Sequence, residues 1–395
     1  MRPAPAQLQA SSPAAMAIRR GHPWIYREGL TKCPNDLPTG SVVDVVDTRE
    51  RFLARGLYDH LSPIAVRLFQ QTADEVLDSE FLIHRIEDAI RFRERCFSGS
   101  ETTAYRLCNG EGDRLPGLVL DRYESVAIAR FDSEMWSPWF DTLLDALREL
   151  LTSIGVHTLC IRAEAPSQGS KIRTLFGAAP ADRVLIREHG MAMEVDLHSG
   201  QKTGAFLDQR ENRARVRKLA DGKASVLNLF SYAGGFSFAA ALGGAARVVS
   251  VDSAAAAHAT AQRSFRANGL DPARHAFVTA DVFAYLEHAR ARGDRFDLVI
   301  SDPPSFAPSE RAKPRAMSAY RRLHASIMQV LQPRAILCAA SCSSHVSTED
   351  FLSTLDDAAI GPTRVCLREI HGQPLDHPTL PAWPEGRYLK FAVLA

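Results

Sequence analysis

The stretch Val226-Leu227-Asn228-Leu229-Phe230-Ser231-Tyr232-Ala233-Gly234-Gly235-Phe236 reads as a short apolar strand that runs into a glycine-bearing turn and then a helix. Paired glycines at such a turn let the backbone approach a ligand closely, because no Cβ intervenes. Outward from it the pattern repeats. Strand-like runs at 226–230, 247–251, 276–279, 296–301 and 335–341 alternate with helical segments near 236–242, 254–268, 282–292 and 316–331. Crossovers of this length between successive strands require a parallel, doubly wound α/β sheet with helices on both faces. In that fold ligands lie beyond the carboxyl ends of the strands.

Each strand end carries chemistry. The second ends in Asp252, about twenty residues after the first loop, where a carboxylate can accept both hydroxyls of a ribose. The third ends at Thr279-Ala280-Asp281-Val282, with a carboxylate suited to an adenine amino group. Either Asp alone reads more readily as a helix N-cap than as a ligand contact. Three consecutive ends carrying Gly-Gly, Asp and Asp point instead to an adenosine-type ligand with no phosphate cradle. The dinucleotide pattern G-x-G-x-x-G is missing from the first loop, and no G-x-x-x-x-G-K-[ST] occurs, so S-adenosylmethionine fits better than a dinucleotide or ATP.

The fourth strand ends Ile300-Ser301-Asp302-Pro303-Pro304-Ser305-Phe306. Two prolines fix the backbone and remove its donors, holding Asp302 and the neighbouring carbonyls in one geometry, and the following Phe can stack on a planar ring. This [DN]-P-P-x-[FYW] arrangement is the grip of methylases that act on flat nitrogenous substrates. The fifth strand ends in Ser341-Cys342-Ser343-Ser344-His345. Cys338, inside the apolar run, reads as a small buried residue. Cys342, flanked by hydroxyls at the strand end, faces the cleft. Carbon 5 of a pyrimidine is not nucleophilic; a thiolate added at carbon 6 makes it so and is later eliminated.

Composition sets the frame around these motifs. The 395 residues carry 47 Lys+Arg against 46 Asp+Glu, with 46% hydrophobic and 24% charged, which excludes disorder, collagen and coiled coil. The length suggests two or three domains. No unbroken apolar stretch approaches the ~20 residues of a spanning helix, and residues 1–20 read as a loose cytoplasmic leader. Seven cysteines without a C-x-x-C pair or a His cluster argue against a disulfide framework and a metal site. The first ~70 residues read as short strands of a small β-barrel module, 75–97 as a helix, and the chain up to ~180 as mixed α+β.

With these residues assembled, the sequence resembles the large-subunit ribosomal RNA cytosine carbon-5 methyltransferases that carry an N-terminal PUA domain. The resemblance rests on Gly21 to Tyr26, Asn109 to Leu118, Lys202 to Arg210, Asn228 to Gly235, Asp302 to Phe306 and Ser341 to Ser343, and covers nearly the whole chain. It implies a PUA-like domain at 1–72, a central α/β domain at 73–185 and a class I methyltransferase domain with a seven-stranded sheet at 186–395. Its last two strands fall at 363–370 and 387–394, one of them antiparallel. It implies S-adenosylmethionine bound by Phe206, Gln209, Phe230, Tyr232, Gly234, Asp252, Ser253, Asn268, Asp281, Val282, Asp302 and Pro303. Cys342 is then the nucleophile and Asp302 the base-orienting acid, with ribosomal RNA as partner, no membrane, and dimers suggested by family members. The sequence departs from the family at Ser305, where Lys is usual.

A charge of +1 announces no nucleic-acid partner by itself, so an RNA footprint must be local. Arg311, Lys313, Arg315, Arg321 and Arg322 follow the Asp-Pro-Pro loop without an intervening acid, and Arg210, Arg213, Arg215, Arg217 and Lys218 crowd another segment. Substrate contacts are expected from Pro304, Phe306, Arg311, Lys313, Arg315 and Arg321, with the target base unstacked or flipped. Two other classes stay open: methylation of guanine or adenine with Cys342 structural, and a non-catalytic RNA-binding or assembly factor.

Overall fold

The computed structural model describes residues 4–163, 171–198, 200, 202–358 and 365–395. The chain divides into two compact units, Met1–Val184 with Asp196–Ala205 and Leu375–Gly386, and Leu185–Val195 with Phe206–Pro374 and Arg387–Ala395.

The first unit holds two sheets. A six-stranded sheet orders Trp24–Tyr26, Ile64–Gln70, Phe52–Tyr58, Val42–Val46, Ala6–Ala10 and Leu30–Lys32 side by side. Residues 6–19 are therefore part of this sheet and its helix, not a loose leader. Ala6–Ala10 pairs parallel with Val42–Val46, Leu8 and Ala10 are fully buried, and Ser11 caps a helix over Ser12–Arg19 that buries Ala15 and Ile18. A five-stranded sheet follows, ordered Lys171–Phe176, Thr158–Ala163, Val126–Phe131, Leu118–Tyr123 and Ala104–Asn109, with helices Ser79–Cys96 and Ser137–Ser153. The expected boundary at 186 is crossed twice. Segment 375–386 belongs here because the Asp376 carboxylate accepts from Arg106 N at 3.0 Å and its carbonyl from Arg93 Nη2 at 2.8 Å. Segment 196–205 belongs here because Thr203 is buried against Tyr123 and Asp121.

The second unit is the doubly wound sheet. Its elements are α1 (Arg210–Leu219), β1 (Ser225–Leu229), α2 (Gly235–Leu242), β2 (Arg247–Asp252), α3 (Ala255–Ala267), β3 (Ala276–Thr279), α4 (Val282–Arg292), β4 (Phe296–Ser301), α5 (Lys313–Met328), β5 (Leu331–Ser341), α6 (Thr348–Ala358), β6 (Leu367–His371) and β7 (Lys390–Leu394). Residues 363 and 364 of the expected sixth strand lie outside the described residues. The sheet order is 3-2-1-4-5-7-6, with β1 to β5 parallel and β7 antiparallel to both neighbours. Val226, Leu227, Leu229, Leu298, Val299, Ile300 and Leu337 are fully buried, as strands covered on both faces must be. The order reverses between β1 and β4, which makes the carboxyl ends of those two strands the natural ligand crevice. A two-stranded ribbon, Arg183–Glu188 with Met191–Asp196, precedes α1.

Candidate active site

The loop leaving β1 is held in an unusual conformation. Phe230 and Tyr232 have φ of 57° and 46°, and Gly234 has φ of 76°. A left-handed backbone costs a non-glycine residue roughly 1–2 kcal/mol, so the surroundings must impose it. They do so through three hydrogen bonds: Ser231 N to Val251 O at 3.0 Å, Gly234 N to Ser231 O at 2.8 Å, and Tyr232 N to Asp252 Oδ2 at 2.8 Å. A Cβ on Gly234 would stand 2.6 Å from Ala261 Cβ, so only glycine lets the turn lie against α3.

Asp252 therefore ties the first two strand ends together, and its Oδ1 accepts from Ala254 N at 2.8 Å. Each carboxylate oxygen has a second lone pair, so these two bonds do not exhaust its capacity for ribose hydroxyls. Asp281 is exposed and caps α4, its Oδ1 accepting from Ala284 N at 3.0 Å. Ser253 is exposed and Val282 buried. The rings of Phe206 and Tyr232 meet edge to face at 5.6 Å. Gln209 is buried, accepts from Asn212 Nδ2 at 2.6 Å and donates to Asp302 Oδ2 at 3.0 Å. Ser231 Oγ and Ser301 Oγ, at the ends of β1 and β4, are buried without a hydrogen-bond partner among the described residues. Orphaned hydroxyls at the point where the strand order reverses suit a polar ligand in that crevice.

Asn268 does not belong to this group. It follows α3, which runs back toward the amino ends of the strands, and both of its amide hydrogens are committed. Nδ2 donates to Ala192 O at 2.6 Å and Ser264 O at 2.7 Å, and Oδ1 accepts from Ala192 N at 2.8 Å. It pins the ribbon strand Met191–Asp196 to α3. Asn268→Ala should lower stability by about 1–3 kcal/mol while the affinity for S-adenosylhomocysteine stays within about twofold of the wild type, as denaturant titration and calorimetry would read.

The Asp302-Pro303-Pro304 loop and the end of β5 form one wall. Cys342 is half-buried, and its Sγ lies 3.8 Å from the Pro303 carbonyl oxygen. Ser305, exposed, exchanges a 2.9 Å hydrogen bond with Ser343, joining the two loops. Behind them Tyr320 donates to Ser341 Oγ at 2.9 Å. Phe306 departs from its expected role as a stacking surface: it is half-buried, packed on Tyr320 at 4.9 Å and Phe230 at 6.5 Å. Pro304 and Ser305 are the residues this loop exposes.

Comparison with known proteins accords with this geometry. A family model for S-adenosylmethionine-dependent methyltransferases matches residues 149–380, and one for PUA-like domains matches residues 11–71. The ribosomal RNA large subunit methyltransferase I of Photobacterium profundum is 38% identical over 95% of both chains. The chain belongs to the ribosomal RNA large subunit methyltransferase I family. A ribosomal RNA large subunit methyltransferase of Deinococcus radiodurans is also 38% identical, over 87% of this chain and 86% of that one. Among solved structures, a protein assigned as a methyltransferase and complexed with SAH superposes with a TM-score of 0.87 at 26% identity, covering 98% of this chain and 99% of that one. S-adenosylmethionine is the methyl donor of this family, and the residues gathered at the ends of β1, β2 and β4 fit it.

Within this family member the expected RNA-facing cations are only partly available. Lys313 pairs with Asp350 at 2.7 Å and Arg321 with Asp357 at 2.6 Å, both acids coming from α6. Arg322 lies over the Phe283 ring at 4.0 Å. Arg311 and Arg315 are exposed. In the second segment Arg210 and Arg213 are buried, so they serve the fold and not phosphates. Sequence reasoning missed Lys390 and Tyr320, which bind the residues on either side of Cys342, Lys390 the Ser343 carbonyl and Tyr320 the Ser341 hydroxyl. The one signal for Lys390 is a cation inside the apolar run Leu389-Lys390-Phe391-Ala392-Val393.

Proposed function

We propose that this chain methylates carbon 5 of cytosine in large-subunit ribosomal RNA through a covalent bond between Cys342 and the base. The RNA substrate is suggested by the names of its relatives, and the chemistry by one observation: a half-buried thiol shares a wall with the Asp-Pro-Pro loop, Sγ to Pro303 O being 3.8 Å. S-adenosylmethionine, when bound, supplies an electrophilic methyl group. The Cys342 thiolate adds to carbon 6, and the ring's displaced electron pair becomes nucleophilic at carbon 5. Once carbon 5 carries the methyl, loss of its proton restores the double bond and expels Cys342 as thiolate. Asp302, fixed by Gln209, holds the edge of the base, and Pro304 and Ser305 line the approach. Residues 1–72 would serve RNA docking, 73–185 would form a central domain, and the doubly wound unit, Leu185–Val195 with Phe206–Pro374 and Arg387–Ala395, would serve catalysis.

The test is large-subunit RNA transcribed with 5-fluorocytidine. A fluorine at carbon 5 cannot leave as a proton does, so the adduct should persist after methyl transfer. Incubation with S-adenosylmethionine should yield a denaturant-resistant protein–RNA complex at near one-to-one stoichiometry, with the crosslinked peptide containing Cys342. Methylated guanosine or adenosine in unmodified RNA, with no adduct on the fluorinated RNA, would refute the proposal.

A further inference from the structure

Lys390 lies on β7 opposite Ser341 of β5 and is only 3% exposed. Its Nζ donates to the carbonyls of Ser343 at 2.6 Å and Tyr388 at 2.9 Å. Two of the three ammonium donors are thereby used on neutral acceptors, and among the described residues no carboxylate lies within ion-pair distance. A buried cation so placed is costly unless negative charge stands nearby. Ser343, whose carbonyl it binds, directly follows Cys342, and the charges that act on the ammonium are those of Cys342 and of Asp350 on α6. Asp350 is already bound to Lys313 and accepts from Ser347 N at 3.1 Å. Tyr320 of α5, which donates to Ser341 Oγ at 2.9 Å, feels the charges of both Cys342 and Asp302. Burial pushes the Tyr320 hydroxyl up to about 12, so it stays protonated and supplies no charge. Burial also draws the ammonium of Lys390 down to about 8, while Cys342 and Asp350 act to keep it charged. Cys342 is thus the member of this set whose ionisation can respond to the lysine.

We propose that Lys390 is a positioning cation that holds Cys342 as a thiolate and, through the Ser343 carbonyl, anchors the loop that carries it. The inference rests on Cys342 as nucleophile. Lys390 acts through Cys342 and need not touch the base. Its task is to keep the thiolate populated at neutral pH before RNA binds, since only that form adds to carbon 6.

Peptide-resolved alkylation of the whole protein with iodoacetamide, followed against pH, tests this. In the wild type the Cys342 midpoint should fall at least about one pH unit below the ~8.5 of an ordinary thiol, with the exposed Cys96 and Cys366 as internal references. Lys390→Met should raise the midpoint by about one unit or more, slowing alkylation at pH 7 roughly tenfold, and Lys390→Arg should restore most of it. A midpoint unmoved by Lys390→Met, in a variant that still binds S-adenosylhomocysteine, overturns the proposal. If Lys390→Met does not fold, the wild-type profile decides: a midpoint at or above that of the reference cysteines also overturns it. The two readings fail separately. An active Cys342→Ala variant removes the nucleophile but leaves the alkylation result standing, whereas an inactive one with an unmoved profile removes only the lysine.

Discussion

Replacing Cys342 by Ala should abolish methyl transfer to RNA while leaving the affinity for S-adenosylhomocysteine unchanged. The size of the loss follows from the chemistry. Without a thiolate at carbon 6 the pyrimidine offers no nucleophile at carbon 5, and positioning alone does not replace it, so kcat should fall by about 10^4-fold or more. Retention of ligand binding follows from the geometry: the hydrogen bonds that shape the ends of β1 and β2 run through Tyr232 N, Asp252 and Ala254 N, whereas Cys342 follows β5. Single-turnover methylation with tritiated donor measures the first quantity and calorimetry the second. Turnover within tenfold of wild type would make Cys342 structural and favour a purine target. No turnover in the intact protein on any large-subunit RNA would favour a binding or assembly role.

Reading and structure agree best where the physics is local. The parallel strands are buried on both faces, so they read as apolar runs, and their positions are met to within a residue for β1 through β4. β5 begins earlier than its apolar run because an irregularity at Arg334, with φ of 65°, carries Leu331 into register with Phe296. The placement of Gly234, Asp252, Asp302 and Cys342 at strand ends was legible because each stands where an apolar run gives way to turn residues. Non-local pairings were not. Nothing near Lys313 or Arg321 in the sequence announces Asp350 or Asp357, which reach them only because α5 and α6 pack together. The resemblance put Asn268 among the cofactor ligands, yet its partner Ala192 arrives from the ribbon. The helix Ser137–Ser153 carried its signal in the open, with Leu143, Leu147 and Leu151 at i, i+4 and i+8, all buried.

Breaking the ion pair between Glu188 and Arg213 should cost more stability than any other single polar substitution proposed for this chain. Arg213 Nε reaches Glu188 Oε2 at 2.7 Å and Nη2 reaches Oε1 at 2.6 Å, with Glu188 1% and Arg213 4% exposed. Nη2 also donates to Phe206 O at 3.0 Å, so one guanidinium joins the ribbon, α1 and the segment that enters the cofactor site. Its stem lies under the Gly-Gly turn, where a Cβ on Gly235 would stand 2.9 Å from Arg213 Cδ. That explains the second glycine as Ala261 explains the first. Glu188→Ala leaves a buried guanidinium without its carboxylate and should cost about 3–5 kcal/mol, seen as a drop in Tm on the order of 10 °C. Arg213→Met should cost a similar amount and also weaken S-adenosylhomocysteine binding, because Phe206 loses the donor on its carbonyl. The double variant Glu188→Leu/Arg213→Met removes both charges and should be clearly less destabilised than the sum of the two single losses. Additive losses would mean that the two side chains are not energetically coupled. A loss below about 1 kcal/mol in Glu188→Ala would mean that water reaches the pair and screens it, contrary to its burial.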